Sequence, residues 1–244
     1  MRIGVIGGSG GIGQAFINEL LRSDLDVQIV ATHRRNLSSL QVSQATNATV
    51  GSSLSWSRLD VTDEPAVAQW IDELGSVDWL VNCVGMLHTD TLQPEKTITQ
   101  FTPELFHQSM MVNCLPTLLL AKYARKALKA SEKSVFVTVS ARVGSIEDNG
   151  LGGWHSYRAS KAALNMALKC IAIEWQRTLP NVRVLSFHPG TTDTALSKPF
   201  QARVPEGKLF EPAKTAQYLL NEIHSAHKYE SGRFIAWDGS TIPW

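Results

Sequence analysis

Short apolar runs alternate along the whole chain with segments in which apolar residues recur every three or four positions. Arg2–Ile6 reads as a short buried strand, and Ile12, Phe16 and Leu20 at i, i+4 and i+8 predict a helix over Ile12–Arg22. Further strands are predicted at Val27–Thr32, Trp56–Val61, Val77–Cys83, Ser134–Ser140, Val182–His188 and Gly232–Trp237. A helix should start at about Asp63, where Thr62-Asp63-Glu64-Pro65 supplies a cap and an early proline. Thr102-Pro103 has the form of an N-cap followed by proline at the first helical position, opening a helical region to about Lys129 that Pro116 should bend or divide. Two more helices are expected over Ser156–Arg177 and from Glu211-Pro212 to about Ala226, whereas Arg35–Ser55, rich in Ser, Thr, Asn and Gln, reads as a loop with a short helix. Strands alternating with helices predict an α/β fold, a parallel sheet covered by helices on both faces through right-handed crossovers. Such sheets bind ligands outside the carboxyl ends of their strands.

Composition narrows the function classes. The 244 residues suit a single α/β domain, and 43% hydrophobic content is enough for a sizeable core. Lys+Arg (23) and Asp+Glu (22) leave a net charge of +1 with no basic block, which argues against nucleic acid as a partner. Cys83, Cys114 and Cys170 lie far apart with no CxxC pair, and the seven histidines show no ligand spacing, so reduced thiols and no metal are expected. The N-terminus enters a strand directly, without the layout of a signal peptide, and no apolar run approaches the ~20 residues a membrane span needs. The expectation is a cytoplasmic protein with no membrane partner.

The first strand runs into Gly7-Gly8-Ser9-Gly10-Gly11-Ile12-Gly13, with Gly7, Gly11 and Gly13 in the spacing G-x-x-x-G-x-G. Glycines there let the backbone turn tightly and approach a pyrophosphate, and the following helix offers it free N–H groups and a positive dipole end. The second strand ends in His33-Arg34-Arg35, and no acidic residue occurs between Asp26 and Asp60 to hold a ribose 2′-hydroxyl. Guanidinium groups at that place suit a 2′-phosphate, so NADP(H) is expected rather than NAD(H).

Tyr157 and Lys161 stand four apart on a predicted helix and so share a face. Ser140 ends the preceding strand, Asn113 lies in Met110-Met111-Val112-Asn113, and Asn82-Cys83-Val84-Gly85 ends the strand before that. With the glycine pattern, Asp60-Val61 and Pro189-Gly190, this set resembles the short-chain dehydrogenase/reductase family over the whole chain. The loop from Ser140-Ala141-Arg142-Val143-Gly144-Ser145-Ile146 to Leu151-Gly152-Gly153-Trp154 is similar to its C-factor-like branch. Ile6 and Cys83-Val84 depart from the family's usual Thr and Asn-Ala.

The resemblance implies a Rossmann-type doubly wound domain of about seven parallel strands, and a homodimer or homotetramer. It places Gly7, Ser9, Gly10, Gly11, Ile12, Gly13, His33, Arg34, Arg35, Asp60, Val61, Asn82, Cys83, Val84, Gly85, Tyr157, Lys161, Pro189, Gly190, Thr191, Thr192 and Thr194 around the coenzyme. Asp60 would bond the adenine amino group or cap the helix that follows. Asn113 would hold a water linking Lys161 to solvent.

The chemistry follows from the groups. A carbonyl carbon that accepts hydride leaves an oxyanion, which the phenol of Tyr157 can protonate and the hydroxyl of Ser140 can hydrogen-bond. Tyrosine's ordinary pKa of about 10 is expected to be lowered by the Lys161 ammonium. Residues 191–210, with Leu196 and Phe200 among Pro, Gly and Lys, have the look of a lid. Met86, Leu87, Val143 and Trp154 would form the opposite wall, so an uncharged aldehyde or ketone, or the matching alcohol, is the expected substrate. The competing reading from the C-factor likeness is an NAD(P)-binding regulatory protein with little turnover.

Overall fold

A computed structural model of the chain describes residues 1–34 and 51–244; Arg35 and most of the stretch expected to be a loop lie outside the described residues. Seven strands build the central sheet: β1 (Arg2–Ile6), β2 (Gln28–His33), β3 (Ser53–Arg58), β4 (Trp79–Asn82), β5 (Ser134–Val139), β6 (Val182–His188) and β9 (Arg233–Ala236). Two short strands, β7 (Thr191–Thr192) and β8 (Leu209–Phe210), pair with each other apart from it. The order across the main sheet is β3-β2-β1-β4-β5-β6-β9, and every pairing in it is parallel. The chain therefore reverses its direction of travel between β1 and β4, and ligands bind outside the strand ends at such a reversal.

The helices are α1 (Gly11–Arg22), α2 (Glu64–Leu74), α3 (Pro103–Asn113), α4 (Leu115–Lys129), α5 (His155–Thr178) and α6 (Pro212–Ser225). Strand residues alternate between two cores. Ile3 and Val5 pack with Phe16, Leu20, Leu219 and Ile223 under α1 and α6. Ile6, Leu80 and Phe136 pack with Trp70, Leu120, Leu164 and Trp175 under α2, α4 and α5. Burial on both faces explains why the central strands read as unbroken apolar runs. Asp63 caps α2 by accepting from the Ala66 N–H, and Thr102 caps α3 by accepting from Leu105. The division of the long helical region falls at Cys114, with Pro116 in the first turn of α4.

The expected strand Trp56–Val61 is displaced to Ser53–Arg58. It is an edge strand, so Ser53 and Ser55 face outward and, with exposed Arg58 at its end, dilute the apolar signal. Leu59 and Val61 are apolar because they enter the core beyond the strand's end. Within residues 191–210 a 3-10 turn covers Lys198–Arg203, and the β7–β8 pair brings the two ends of the segment together.

A second 3-10 turn, Arg142–Gly144, lies directly on α5. A Cβ on Gly144 would come 2.7 Å from the carbonyl carbon of Lys161. Gly144→Ala must push this turn off the helix and is expected to cost about 1–3 kcal/mol. At ~2–4 °C of Tm for each kcal/mol, thermal melts will resolve it, while Gly150→Ala, where a Cβ meets nothing within 4 Å, should leave Tm unchanged.

Candidate active site

The glycine turn and α1 form a cradle at the carboxyl end of β1. Gly7 turns with φ +72°, its N–H donates to Thr32 Oγ1 at 3.0 Å, and its carbonyl accepts from Gly10 N at 3.0 Å. A Cβ on Gly13 would lie 2.4 Å from that carbonyl, so only glycine lets α1 start so close to the turn. No side chain caps α1, and Gly10 and Gly11 are exposed beside half-buried Ser9 and Ile12. The leading N–H groups of α1 are thus open toward a ligand, at the positive end of the helix dipole. Thr194 overlies them: a Cβ on Gly11 would meet its methyl at 2.6 Å.

Arg34 is exposed at the end of β2. Asp60 Oδ1 accepts from the Thr62 hydroxyl (2.7 Å) and N–H (3.0 Å), and these bonds, with the Arg34 guanidinium adding to them, hold its carboxyl below the usual range. Asp60 is therefore a turn residue beside Arg34, and the helix cap falls to Asp63. His33 is buried edge-on to Trp56, with 6.2 Å between ring centroids. Asn82 shapes the next turn: its Oδ1 accepts from Val84 N at 3.1 Å and its Nδ2 donates to Thr117 Oγ1 at 3.1 Å. Burial pushes the Cys83 thiol up to about 12, which makes it inert. Past the buried Pro189 and the turn at Gly190, Thr192 is buried and shares a 2.8 Å hydrogen bond with Thr215, which ties the start of the 191–210 segment to α6, while Thr191 is half-buried.

Tyr157, Lys161 and Asn165 occupy successive turns of α5, all buried. Lys161 Nζ donates to the Val139 carbonyl at the end of β5 at 3.1 Å and lies 5.9 Å from the centroid of the Tyr157 ring. Around it, a Cβ on Gly85 would come 3.6 Å from Lys161 Nζ, 3.8 Å from Asn113 Oδ1 and 3.9 Å from the Leu196 methyl. Four of the residues singled out in the sequence thus converge at one point. Asn113, the last residue of α3, locks the neighbouring loop: its Oδ1 accepts from Met86 N at 2.7 Å, and its Nδ2 donates to the Met86 carbonyl and to Ser160 Oγ, both at 2.9 Å.

Burial lowers the Lys161 ammonium to about 8. It also raises the Tyr157 phenol above its ordinary value. The expectation that Lys161 lowers the phenol is corrected here. Desolvation of the buried ring is the cause of the rise.

Ser140 also has a partner in the interior. Its hydroxyl donates to Asn165 Oδ1 at 2.6 Å, an oxygen that also accepts from Ser186 Oγ at 2.8 Å. Asn165 Nδ2 is buried without a hydrogen-bond partner among the described residues. Asn165 was not legible in the sequence, since a single Asn on an amphipathic helix carries no signal.

Aromatic residues cover the phenol. The Trp154 ring stands 6.2 Å from Tyr157 and 5.1 Å from Phe200 of the 191–210 segment, and Phe200 stands 5.8 Å from His88. Val143 is half-buried in the turn on α5, and its carbonyl accepts from Arg158 Nη1 at 3.3 Å. His188, which sequence reading passed over, accepts from Arg142 N through Nδ1 at 3.2 Å. Burial, with the Arg142 charge adding, lowers it to about 4, so a neutral ring fixes the turn that carries Val143.

Comparison with known proteins agrees with this geometry. A family model described as short chain dehydrogenase matches residues 2–204. The 1-hydroxy-2-glutathionyl-2-methyl-3-butene dehydrogenase of Rhodococcus sp. (strain AD45) is 31% identical over 189 residues, covering 77% of this chain and 69% of its own length. Carbonyl reductase family member 4 of Xenopus tropicalis is 28% identical over 244 residues, covering 96% of this chain and 95% of its own. The structure of an NADPH-bound carbonyl reductase from chicken fatty liver superimposes with a TM-score of 0.80 at 21% identity, covering 100% of this chain and 94% of that one. With a parallel seven-stranded sheet, a glycine cradle at its reversal point and a Tyr–Lys pair beside it, the chain belongs to the short-chain dehydrogenase family of oxidoreductases.

Proposed function

We propose that the protein is an NADPH-dependent carbonyl reductase, with Tyr157 as general acid and Lys161 as its charge partner. The observation that carries this reading is the burial of Tyr157 and Lys161 together, beside Gly85 and at the same carboxyl edge of the sheet as the α1 cradle. The residues present fit a dinucleotide. α1 has no side-chain cap, its first residue Gly11 is exposed, and the turn before it tolerates no side chain at Gly13. Arg34 stands where a 2′-phosphate would sit, and no acidic residue competes for that place between Asp26 and Asp60. A carbonyl reductase with NADPH bound is also among the matching folds.

When bound, reduced nicotinamide supplies hydride to the carbonyl carbon. This chain's residues handle the oxygen. Tyr157, kept protonated by burial, holds the proton that the oxygen takes as it becomes an alkoxide. The Lys161 ammonium then stabilises the phenolate left behind, at a distance and in a medium where unit charges interact strongly. Below a pH of about 8 the ammonium is present, and above it Lys161 is increasingly neutral. Val139 orients the ammonium, and Asn113 fixes the loop carrying Met86. Leu196, Phe200, Trp154, Met86 and Val143 would line the substrate side, with residues 191–210 as a lid that excludes water. Such a lining favours uncharged aldehydes or ketones of moderate size over anionic substrates.

NADPH oxidation with a homologous series of aldehydes tests the reading. Rates should climb with chain length, by at most ~0.8 kcal/mol of transition-state binding per methylene, until the pocket is full. Tyr157→Phe keeps the ring but has no proton, so kcat should fall by ~10²–10⁴ with NADPH affinity retained. For the unaltered enzyme, kcat should decline as pH rises through about 8 and Lys161 discharges. Activity that is flat across this range, or near-normal rates in Tyr157→Phe, places the proton donor elsewhere.

Ser140→Ala separates an oxyanion donor from a buried brace. Loss of a donor aimed at the oxyanion costs ~10²–10³ in kcat. If the 2.6 Å contact with Asn165 is a brace, Ser140→Ala should instead lower kcat less than about tenfold and lower stability by about 1 kcal/mol, read from steady-state kinetics and a thermal melt.

Arg34→Asp tests coenzyme choice. It removes a phosphate donor and supplies an acceptor for a ribose hydroxyl. The ratio of kcat/KM for NADPH over NADH should fall by at least about tenfold, for a lost charged hydrogen bond of ~1.5–3 kcal/mol. Equal affinity of the unaltered protein for both coenzymes would refute the argument.

A further inference from the structure

Glu95 is buried to 1% exposure, and no lysine, arginine or histidine forms an ion pair with it among the described residues. A carboxylate taken out of water without a cation needs other donors. All of them come from the start of α5. Both carboxylate oxygens lie 3.3 Å from Ser156 N, Oε1 also accepts from the Ser156 hydroxyl, and the Glu95 backbone carbonyl accepts from Trp154 N.

The start of α5 needs this help. Its N-cap position is Trp154, which offers no side-chain cap. Trp154 is also left-handed at φ 48°, the only non-glycine residue with positive φ among the described residues, and it follows Gly152 (φ 62°) and Gly153 (φ 66°). Three successive left-handed residues feeding a helix are an unfavourable entry, most of all with a bulky side chain at the third. Arg158 holds the carbonyl side of this turn, donating through Nε to Gly152 O (3.1 Å) and Gly153 O (3.0 Å). Glu95 holds the N–H side, and its negative charge sits at the positive end of the α5 dipole.

The next residue after Ser156 is Tyr157, and the ring of Trp154 packs against both Tyr157 and Phe200. We propose that Glu95 is a positioning residue that caps α5 from a separate loop, and so sets where the Tyr157 phenol and the Trp154 wall stand over the substrate. This rests on the reductase reading given above. The loop that carries Glu95 also carries Met86, which Asn113 anchors. One loop is therefore tied to the site at both ends, by Asn113 to α3 and by Glu95 to α5. A misplacement of the acid by about 1 Å is enough to cost ~100-fold in rate.

The test compares Glu95→Ala, Glu95→Gln and Ser156→Ala with the unaltered protein. The readouts are kcat, KM for an aldehyde, Kd for NADPH by fluorescence titration, and hydrogen exchange of the 154–158 amides. Glu95→Ala should lower kcat about ten- to a hundredfold, leave the Kd for NADPH within about twofold, and speed exchange at 154–158. Glu95→Gln keeps a carbonyl oxygen for Ser156 and should recover most of kcat. A kcat unchanged in Glu95→Ala, a Kd for NADPH that weakens in step with kcat, or Glu95→Gln no better than Glu95→Ala each overturns the proposal. If Glu95→Ala does not fold, Ser156→Ala decides. That variant should lower kcat by about three- to tenfold at unchanged coenzyme affinity, and an unaltered kcat overturns the proposal. If the unaltered protein reduces no carbonyl, the reductase reading fails, and the exchange data still judge the cap. Unchanged protection at 154–158 in Glu95→Ala removes it.

Discussion

A lysine side chain enclosed at the end of a β-strand, with no carboxylate to answer its charge among the described residues, is the constraint around which this site is arranged. Lys161 is 2% exposed and gives a hydrogen bond to the Val139 carbonyl, the last of β5. Burial costs it proton affinity, which brings it to about 8. The same enclosure raises the Tyr157 phenol. The pair is thus biased toward a protonated acid beside a readily discharged ammonium. In the proposed reduction that bias suits proton donation to a newly formed alkoxide, and it would tie activity to the pH range in which the lysine keeps its charge.

The surroundings exist to hold that lysine's helix against the sheet. Gly144 has no side chain, so the turn after β5 can rest on the Lys161 backbone. Neutral His188 accepts from Arg142 N and keeps that turn in place. One turn further along α5, Asn165 receives hydroxyl protons from Ser140 on one side and Ser186 on the other, joining helix to β5 and β6. At the front, Glu95 and Arg158 grip opposite polarities of the left-handed turn that starts α5. Hydrogen bonds made in this way hold in one geometry and are lost in others, so they fix the helix in position as apolar packing alone does not.

The coenzyme side uses backbone where the catalytic side uses side chains. An uncapped α1, a turn that admits only glycine at Gly13, and an exposed Arg34 beside Asp60 make the surface that the proposed coenzyme's phosphates would meet. Thr194 overlying the cradle, and Leu196 reaching Gly85, connect the two halves through a single segment. That segment is pinned where Thr192 meets Thr215 and where β7 pairs with β8.

The sequence by itself determined the sheet, the order of its elements and the two ends of the site. Strands buried on both faces must be written as apolar runs, which is why β1 and β6 were placed to the residue, whereas the edge strand β3, wet on one side, was displaced. The glycine spacing and the Tyr157–Lys161 interval were legible because each is a local geometry, a turn in one case and one helical turn in the other. What a side chain does with its proton is decided by neighbours distant in the chain. Ser140 turns inward because Asn165, 25 residues away, waits for it. The direction of the Tyr157 shift follows from enclosure by elements that no spacing describes. Glu95 acts 61 residues from Ser156 and has no periodicity to announce it. Only the folded chain brings the side-chain oxygens of an isolated loop residue to the uncapped start of a helix, where acceptors are needed.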